Sequence, residues 1–239
     1  MKLSKKNLPK KIAVIFYGPP GAGKGTQAQL LADKLNLFHF DTGRYIRDII
    51  YDPTLQKNKI IQKERKINEA GGLNTASWIF EIVSKKIDEL NKLNKSVVLS
   101  GSPRTMAETF GDKKTKGLIE LLEKDYGKKN IFIIALNLTE SESLKRNTHR
   151  LICSQCRLAI LSSIPQFKNL KMSKCPFCGG DLKHRFDDKK EVILRRLESY
   201  KEMTYPIIGE LAKRKYRIIK INAAPLPYQV HQKIIGYLK

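Results

Sequence analysis

Long apolar runs are absent from this 239-residue chain. The two longest, residues Ile12 to Tyr17 and Ile131 to Leu136, fall well short of the ~18 residues that a membrane-crossing helix needs. No membrane span is expected. No export signal is expected either: the basic N-terminus leads into Ile12-Ala13-Val14-Ile15-Phe16, but that stretch is brief and Gly18-Pro19-Pro20-Gly21 stands where a cleavage site would be. The expectation is a soluble, cytoplasmic protein. There is no internal repeat, no low-complexity tract and no basic surface interleaved with aromatics of the kind that grips nucleic acid. Acidic residues are scarce: 23 Asp and Glu face 46 Lys and Arg, a net charge of +23. That excess points to anionic partners, meaning nucleotides, nucleic acid or a membrane surface. Nucleic acid is not expected as the main partner, and a monomer is expected.

Hydrophobic residues make up 41% of the chain, enough for a packed interior and too many for disorder. The length suits one core with appended pieces. Aliphatic runs at Ile12 to Tyr17, Ser96 to Leu99, Ile131 to Leu136 and Arg217 to Ile221 read as buried strands, with a shorter one at Leu37 to Phe40. Between them lie helical patterns. One begins near Gly25 and carries Ala28, Leu31, Ala32 and Leu35; a second runs from Trp78 to Leu90; the last contains Val230, Ile234 and Leu238. Alternating strands and helices imply a parallel sheet covered by helices, an α/β sandwich whose ligands gather at the carboxyl ends of the strands. Residues 43 to 71 and 151 to 184 break the alternation and read as insertions.

Gly18-Pro19-Pro20-Gly21-Ala22-Gly23-Lys24-Gly25-Thr26 follows the first strand and opens the first helix. Glycines let backbone N–H groups turn inward around phosphate oxygens, and a helix N-terminus favours negative charge. Gly21, Ala22, Gly23, Lys24, Gly25 and Thr26 are therefore candidate phosphate contacts, Lys24 reaching the outer phosphates and Thr26 the metal side. Gly25 interrupts the usual Gly-Lys-Ser/Thr ending.

Cys153-x-x-Cys156 and Cys175-x-x-Cys178 are separated by eighteen residues. Two such turns complete a tetrahedral thiolate shell, and with no open position the ion, zinc, would be structural. Nothing in the sequence indicates the oxidising compartment that disulfides need.

Arginines in distinctive settings complete the pattern: Asp41-Thr42-Gly43-Arg44-Tyr45-Ile46-Arg47, Ser100-Gly101-Ser102-Pro103-Arg104-Thr105, Arg146 and Arg150, Arg185-Phe186-Asp187-Asp188, and Arg196-Leu197 followed by Tyr200 and Met203-Thr204. In order along nearly the whole chain, these segments resemble the adenylate kinase family in its zinc-lid form. The resemblance implies the three-layer fold of P-loop nucleoside monophosphate kinases and reversible phosphoryl transfer from Mg-ATP to AMP, giving two ADP. It implies a core of residues 1–40, 72–146 and 186–239, an acceptor-binding insertion at 41–71 and a zinc-binding lid at 147–185. It assigns Lys24, Arg104, Arg150, Arg185 and Arg196 to the moving phosphoryl group. Arg146, Ala159, Ile160 and Ala224 would contact ATP. Thr42, Arg47, Gly72, Leu73, Asn74, Gly101, Ser102, Pro103, Arg104 and Glu108, with Arg185 and Arg196, would form the AMP site. Asp187 and Asp188 would orient the arginines and the lid. Mg2+ with ATP and a structural Zn2+ are the implied cofactors.

Two positions depart from the family pattern. Ser100 stands where an aspartate usually orders the water shell of magnesium, so that shell is expected to be weaker or differently arranged. Glu108 stands where a glutamine usually reads adenine. An ionised carboxylate can only accept hydrogen bonds, which fits guanine or cytosine better than the ring nitrogen of adenine. Either Glu108 shifts or relaxes the acceptor preference, or a one-residue loop shift or a bridging water preserves AMP. A nucleotide-dependent nucleic-acid-binding protein is the alternative from a different class.

Overall fold

The computed structural model describes residues 11–113, 115–161, 173–184 and 188–238. Its centre is a parallel sheet of five strands. Strand β1 (Ala13–Tyr17) has all five residues buried, because neighbouring strands flank it on both edges and helices cover both faces. After helix α1 (Lys24–Leu35) come the short β2 (Phe38–Phe40), then α2 (Thr42–Ile50), α3 (Lys59–Glu69) and α4 (Ala76–Lys92). Next follow β3 (Val97–Leu99), α5 (Met106–Phe110), α6 (Leu118–Tyr126), β4 (Ile131–Asn137) and α7 (Glu140–Thr148). A separate antiparallel trio holds β5 (Arg150–Cys153), β6 (Ala159–Leu161) and β7 (Leu182–His184). The chain ends with α8 (Lys190–Ser199), a π-helical turn (Tyr200–Thr204), α9 (Tyr205–Lys213), β8 (Arg217–Asn222) and α10 (Pro227–Tyr237).

The order across the large sheet is β2-β3-β1-β4-β8, every neighbour parallel. Val14 pairs with Val98 on one side and Phe132 on the other. Side chains alternate between faces, which divides the core in two. Ala13, Ile15 and Tyr17 pack with α4, α6 and α9; Val14 and Phe16 pack with α1 and α10. The three-layer α/β sandwich expected from the alternation of strands and helices is the fold found. Truncating a fully buried residue such as Ile15 to alanine would cost about 2–5 kcal/mol.

Each predicted strand is present, with ends moved by a residue. β1 starts at Ala13 because the Ile12 N–H donates instead to Ser96 Oγ at 3.0 Å. β2 lies at the sheet edge, where Phe38 is exposed. The strandless stretch between β2 and α4 forms α2 and α3. The cysteine stretch, which shows little helical pattern, supplies the small antiparallel sheet. No helix among the described residues is long and apolar enough to cross a membrane.

Candidate active site

The carboxyl end of β1 runs into the glycine loop, which ends at Gly23 with φ of 82° and opens α1. No side chain caps α1 and no acidic residue lies in its first turn, so its first N–H groups stay available to an anion. Gly21 has φ of +78°, and a methyl group there would sit 2.6 Å from Asn147 Nδ2. Glycine is what lets α7 close against the loop, where Ser143 Oγ donates to the Pro20 carbonyl at 2.5 Å. Ala22 is buried, and Gly25 and Thr26 lie at the start of α1 with Thr26 exposed.

Lys24 curls back over this loop, its Nζ donating to the Gly18 and Pro19 carbonyls at 2.6 and 3.0 Å. Burial first, and then the charges of Arg104, Arg196 and Arg150, hold its ammonium well below the usual lysine range. Four cationic side chains from different parts of the chain thus face one another. Such mutual repulsion is stable only where an anion or a carboxylate offsets it. One carboxylate is Asp188, whose side chain is 2% exposed. It takes hydrogen bonds from Arg150 Nε at 2.8 Å and Nη2 at 2.5 Å, and Arg196 Nη1 lies 3.7 Å away. Arg185 and Asp187 lie outside the described residues.

A cavity opens beside Lys24, lined among others by Arg47, Gly72, Leu73, Asn74, Gly101 to Arg104, Glu108 and Arg196. Arg104 is pinned at three points: Nε donates to the Gly101 carbonyl at 2.5 Å, its N–H to Glu108 Oε2 at 2.7 Å, and its carbonyl accepts from Thr204 Oγ1 at 2.8 Å. The π-helical turn is what brings the Thr204 hydroxyl there. A methyl group on Gly43 would lie 3.6 Å from Arg47 Nη1 and 3.7 Å from Arg104 Nη2, so both guanidinium groups flank the first turn of α2. Thr42 is fully buried beside them, its Oγ1 without a hydrogen-bond partner among the described residues. The Ser102–Pro103 peptide bond is cis.

Arg146 is almost wholly buried, donating to Glu142 Oε1 at 2.8 Å and to the Ala223 and Ala224 carbonyls at 2.9 and 2.7 Å. This joins Arg146 to Ala224. Ala159 is exposed, whereas Ile160 packs with Cys153 and Cys175 in the small apolar cluster of the antiparallel sheet. The sulfurs of Cys153, Cys156, Cys175 and Cys178 lie within 4.8 Å of one another and could hold a metal ion. Pairs stand at 3.4 Å (Cys153–Cys178) and 3.7 Å (Cys156–Cys175), near the roughly 3.8 Å that tetrahedral zinc–thiolate bonds of about 2.3 Å imply.

Three contributions escaped the sequence reading. Tyr17, taken as a strand residue, lines the cavity from the end of β1; its place at a strand's carboxyl end was the available signal. Glu64, 1% exposed, accepts from Asn74 Nδ2 at 2.9 Å and Thr75 N at 3.0 Å, fixing the cavity loop. Nothing in its charged helix singles it out. The third is His39, whose Nε2 lies 2.8 Å from Ser100 Oγ and whose Nδ1 lies 3.0 Å from Gln29 Oε1. Gln29 Nε2 is committed to Asp33 at 2.8 Å, so its oxygen faces His39 and accepts from Nδ1. The imidazole then takes the Ser100 hydrogen on Nε2. Burial lowers the His39 pKa, against the opposing pull of Asp41 and Asp33, and so favours the neutral ring.

Known proteins resemble the chain along most of its length. The family described as adenylate kinase matches residues 16–216. The chain is 34% identical over 212 residues to the adenylate kinase of Thermosipho africanus (strain TCF52B), covering 88% of this chain and 92% of that protein. It is 35% identical over 227 residues to the adenylate kinase of Thermosipho melanesiensis, covering 95% and 99%. The adenylate kinase of Chlamydia trachomatis serovar D is 32% identical over 237 residues, covering 94% and 89%.

Proposed function

This chain belongs to the adenylate kinase family, and we propose that Lys24, Arg104, Arg150 and Arg196 carry its phosphoryl transfer between the glycine loop and the cavity beside it. The enzyme is a phosphotransferase that moves the terminal phosphoryl group of ATP to AMP, reversibly. A shifted acceptor base and a nucleic-acid-binding role are not favoured beside relatives named in this way. The single observation that carries the site assignment is the cluster of Arg104, Arg150 and Arg196 around the lysine of the phosphate loop.

In this reading the glycine loop and the α1 N-terminus hold the ATP phosphates, and AMP enters the cavity with its phosphate toward Arg47 and Arg104. The acceptor oxygen is then aligned with the γ-phosphate, and the cations stabilise charge spread over the equatorial oxygens in the transition state. Because the cations are fixed beforehand by Asp188, Gly101 and the loop carbonyls, little reorganisation is left for the reaction itself. Arg146 and Ala224 border the ATP base. Residues 41–71 and 147–185 act as covers whose closure excludes water as a competing acceptor.

Magnesium accompanying ATP would supply charge neutralisation at the phosphates. Ser100 suits it: with its hydrogen given to His39, its oxygen remains free to accept from a metal-bound water. Cys153, Cys156, Cys175 and Cys178 would hold a zinc ion, which would crosslink a lid whose apolar cluster is small among the described residues.

The test is ADP formation from ATP and AMP with Lys24→Met. Loss of about 10²–10³-fold in kcat with unchanged thermal unfolding is expected. Wild-type turnover in the variant would dismiss the site.

A further inference from the structure

Ser143 and Asn147 lie one turn apart on α7, and both are fully buried. Burying a hydroxyl or an amide is costly unless it finds a hydrogen-bond partner. Ser143 finds one on the glycine loop, donating to the Pro20 carbonyl at 2.5 Å. Asn147 is only half satisfied: its Nδ2 donates to the Ser143 carbonyl at 2.7 Å, but its Oδ1 has no hydrogen-bond partner among the described residues. A buried amide with an idle acceptor stabilises a core less than a well-packed apolar residue of the same shape.

Its place in the fold gives another reason for it. A methyl group on Gly21 would lie 2.6 Å from Asn147 Nδ2, 3.1 Å from the Ser143 carbonyl oxygen and 3.4 Å from Arg146 Cβ. One face of α7 therefore presses on the outside of the loop. Gly18, where the loop begins, is as close to β4: a methyl group there would lie 2.8 Å from the Leu136 carbonyl oxygen. The helix is itself anchored. Arg146 ties it to the Ala223 and Ala224 carbonyls, and Arg150, two residues past its end, is held by both oxygens of Asp188. The loop thus rests on a fixed bar that leads directly to one of the cations around Lys24.

We propose that Ser143 and Asn147 are positioning residues that clamp Pro20 and Gly21 from outside, holding the loop N–H groups in place for phosphate and fixing their distance from Arg150. This rests on the reading of the glycine loop as the ATP phosphate site. Glycine-rich backbone loses more freedom on ordering than any other, and a loop already held in shape leaves less of that loss to be met when ATP binds. Both side chains act through the backbone of the loop.

The experiment measures Kd for ATP by calorimetry without AMP, and KM for each nucleotide, in wild type, Ser143→Ala and Asn147→Ala. With the clamp loosened, Kd and KM for ATP should rise about tenfold, and KM for AMP by less than about twofold. Asn147→Asp keeps the shape but sets a carboxylate against the Ser143 carbonyl and beside the phosphates, and should weaken ATP more than Asn147→Ala does. In amide NMR spectra of the variants the Gly21 and Gly23 signals should broaden while those of the five-stranded sheet stay in place. Equal losses for ATP and AMP, or a lowered thermal transition with ATP affinity intact, would make both residues ordinary packing contacts and overturn the clamp. Lys24→Met, assayed alongside, keeps two failures apart: if it too turns over like wild type, the loop is not the phosphate site and the reading beneath the proposal fails instead.

Discussion

Asp188 holds Arg150 through both carboxylate oxygens, at 2.5 and 2.8 Å, while its Oδ1 also lies 3.7 Å from Arg196. One acidic side chain just before α8 thereby sets two cations that approach Lys24 from separate elements. An arginine is flexible along its stem, and bidentate pairing fixes the plane of its fork.

Asp188→Asn keeps the size of the side chain but turns one of its oxygens into an N–H donor aimed at a donor. Arg150 should lose its fixed plane. Turnover at saturating ATP and AMP is expected to fall about 10²-fold, with the folded state weakened by about 3 kcal/mol as a buried charge pair is broken. Steady-state kinetics and chemical denaturation read the two effects separately. An unchanged kcat with lowered stability would reduce Asp188 to a structural residue.

Gly101→Ala tests the acceptor side through space alone. A methyl group at this position would lie 2.2 Å from Thr42 Oγ1 and 2.8 Å from the Gly43 N, contacts that cannot be accommodated without moving the backbone. The first turn of α2 would be pushed away from Arg104. KM for AMP should rise about tenfold or more while KM for ATP, bound on the other side of Lys24, changes little. An unaltered KM for AMP would mean that the close approach of Gly101 to Thr42 does not shape the acceptor site.

The sequence made the centre of the sheet legible because β1, β3 and β4 are unbroken aliphatic-rich runs buried on both faces, such as Ile131 to Leu136. The glycine loop and the cysteine pairs were legible because their chemistry dictates spacing. Tyr17 and Glu64 were not, since their roles depend on what the fold brings opposite them: a strand end beside α5 in one case, the loop at Asn74 in the other. Glu108 lies between these cases. Its position in the chain was evident, but only the structure separates its two oxygens, one accepting the Arg104 N–H and the other buried without a partner among the described residues.

Among the described residues, the antiparallel sheet around the cysteines has only a small apolar interior. Its buried cluster is Cys153, Ile160 and Cys175, with Leu182 packed beside it. A domain this small needs a crosslink, which one ion on four thiolates provides. Metal analysis should find about one zinc per chain. Chelation, or Cys153→Ser, should speed hydrogen exchange across β5 to β7 and raise KM for ATP. The main thermal transition should move little, because the five-stranded sheet shares no ligand with the site. A fully metallated Cys153→Ser protein, or exchange unchanged on chelation, would place the stability of this sheet elsewhere.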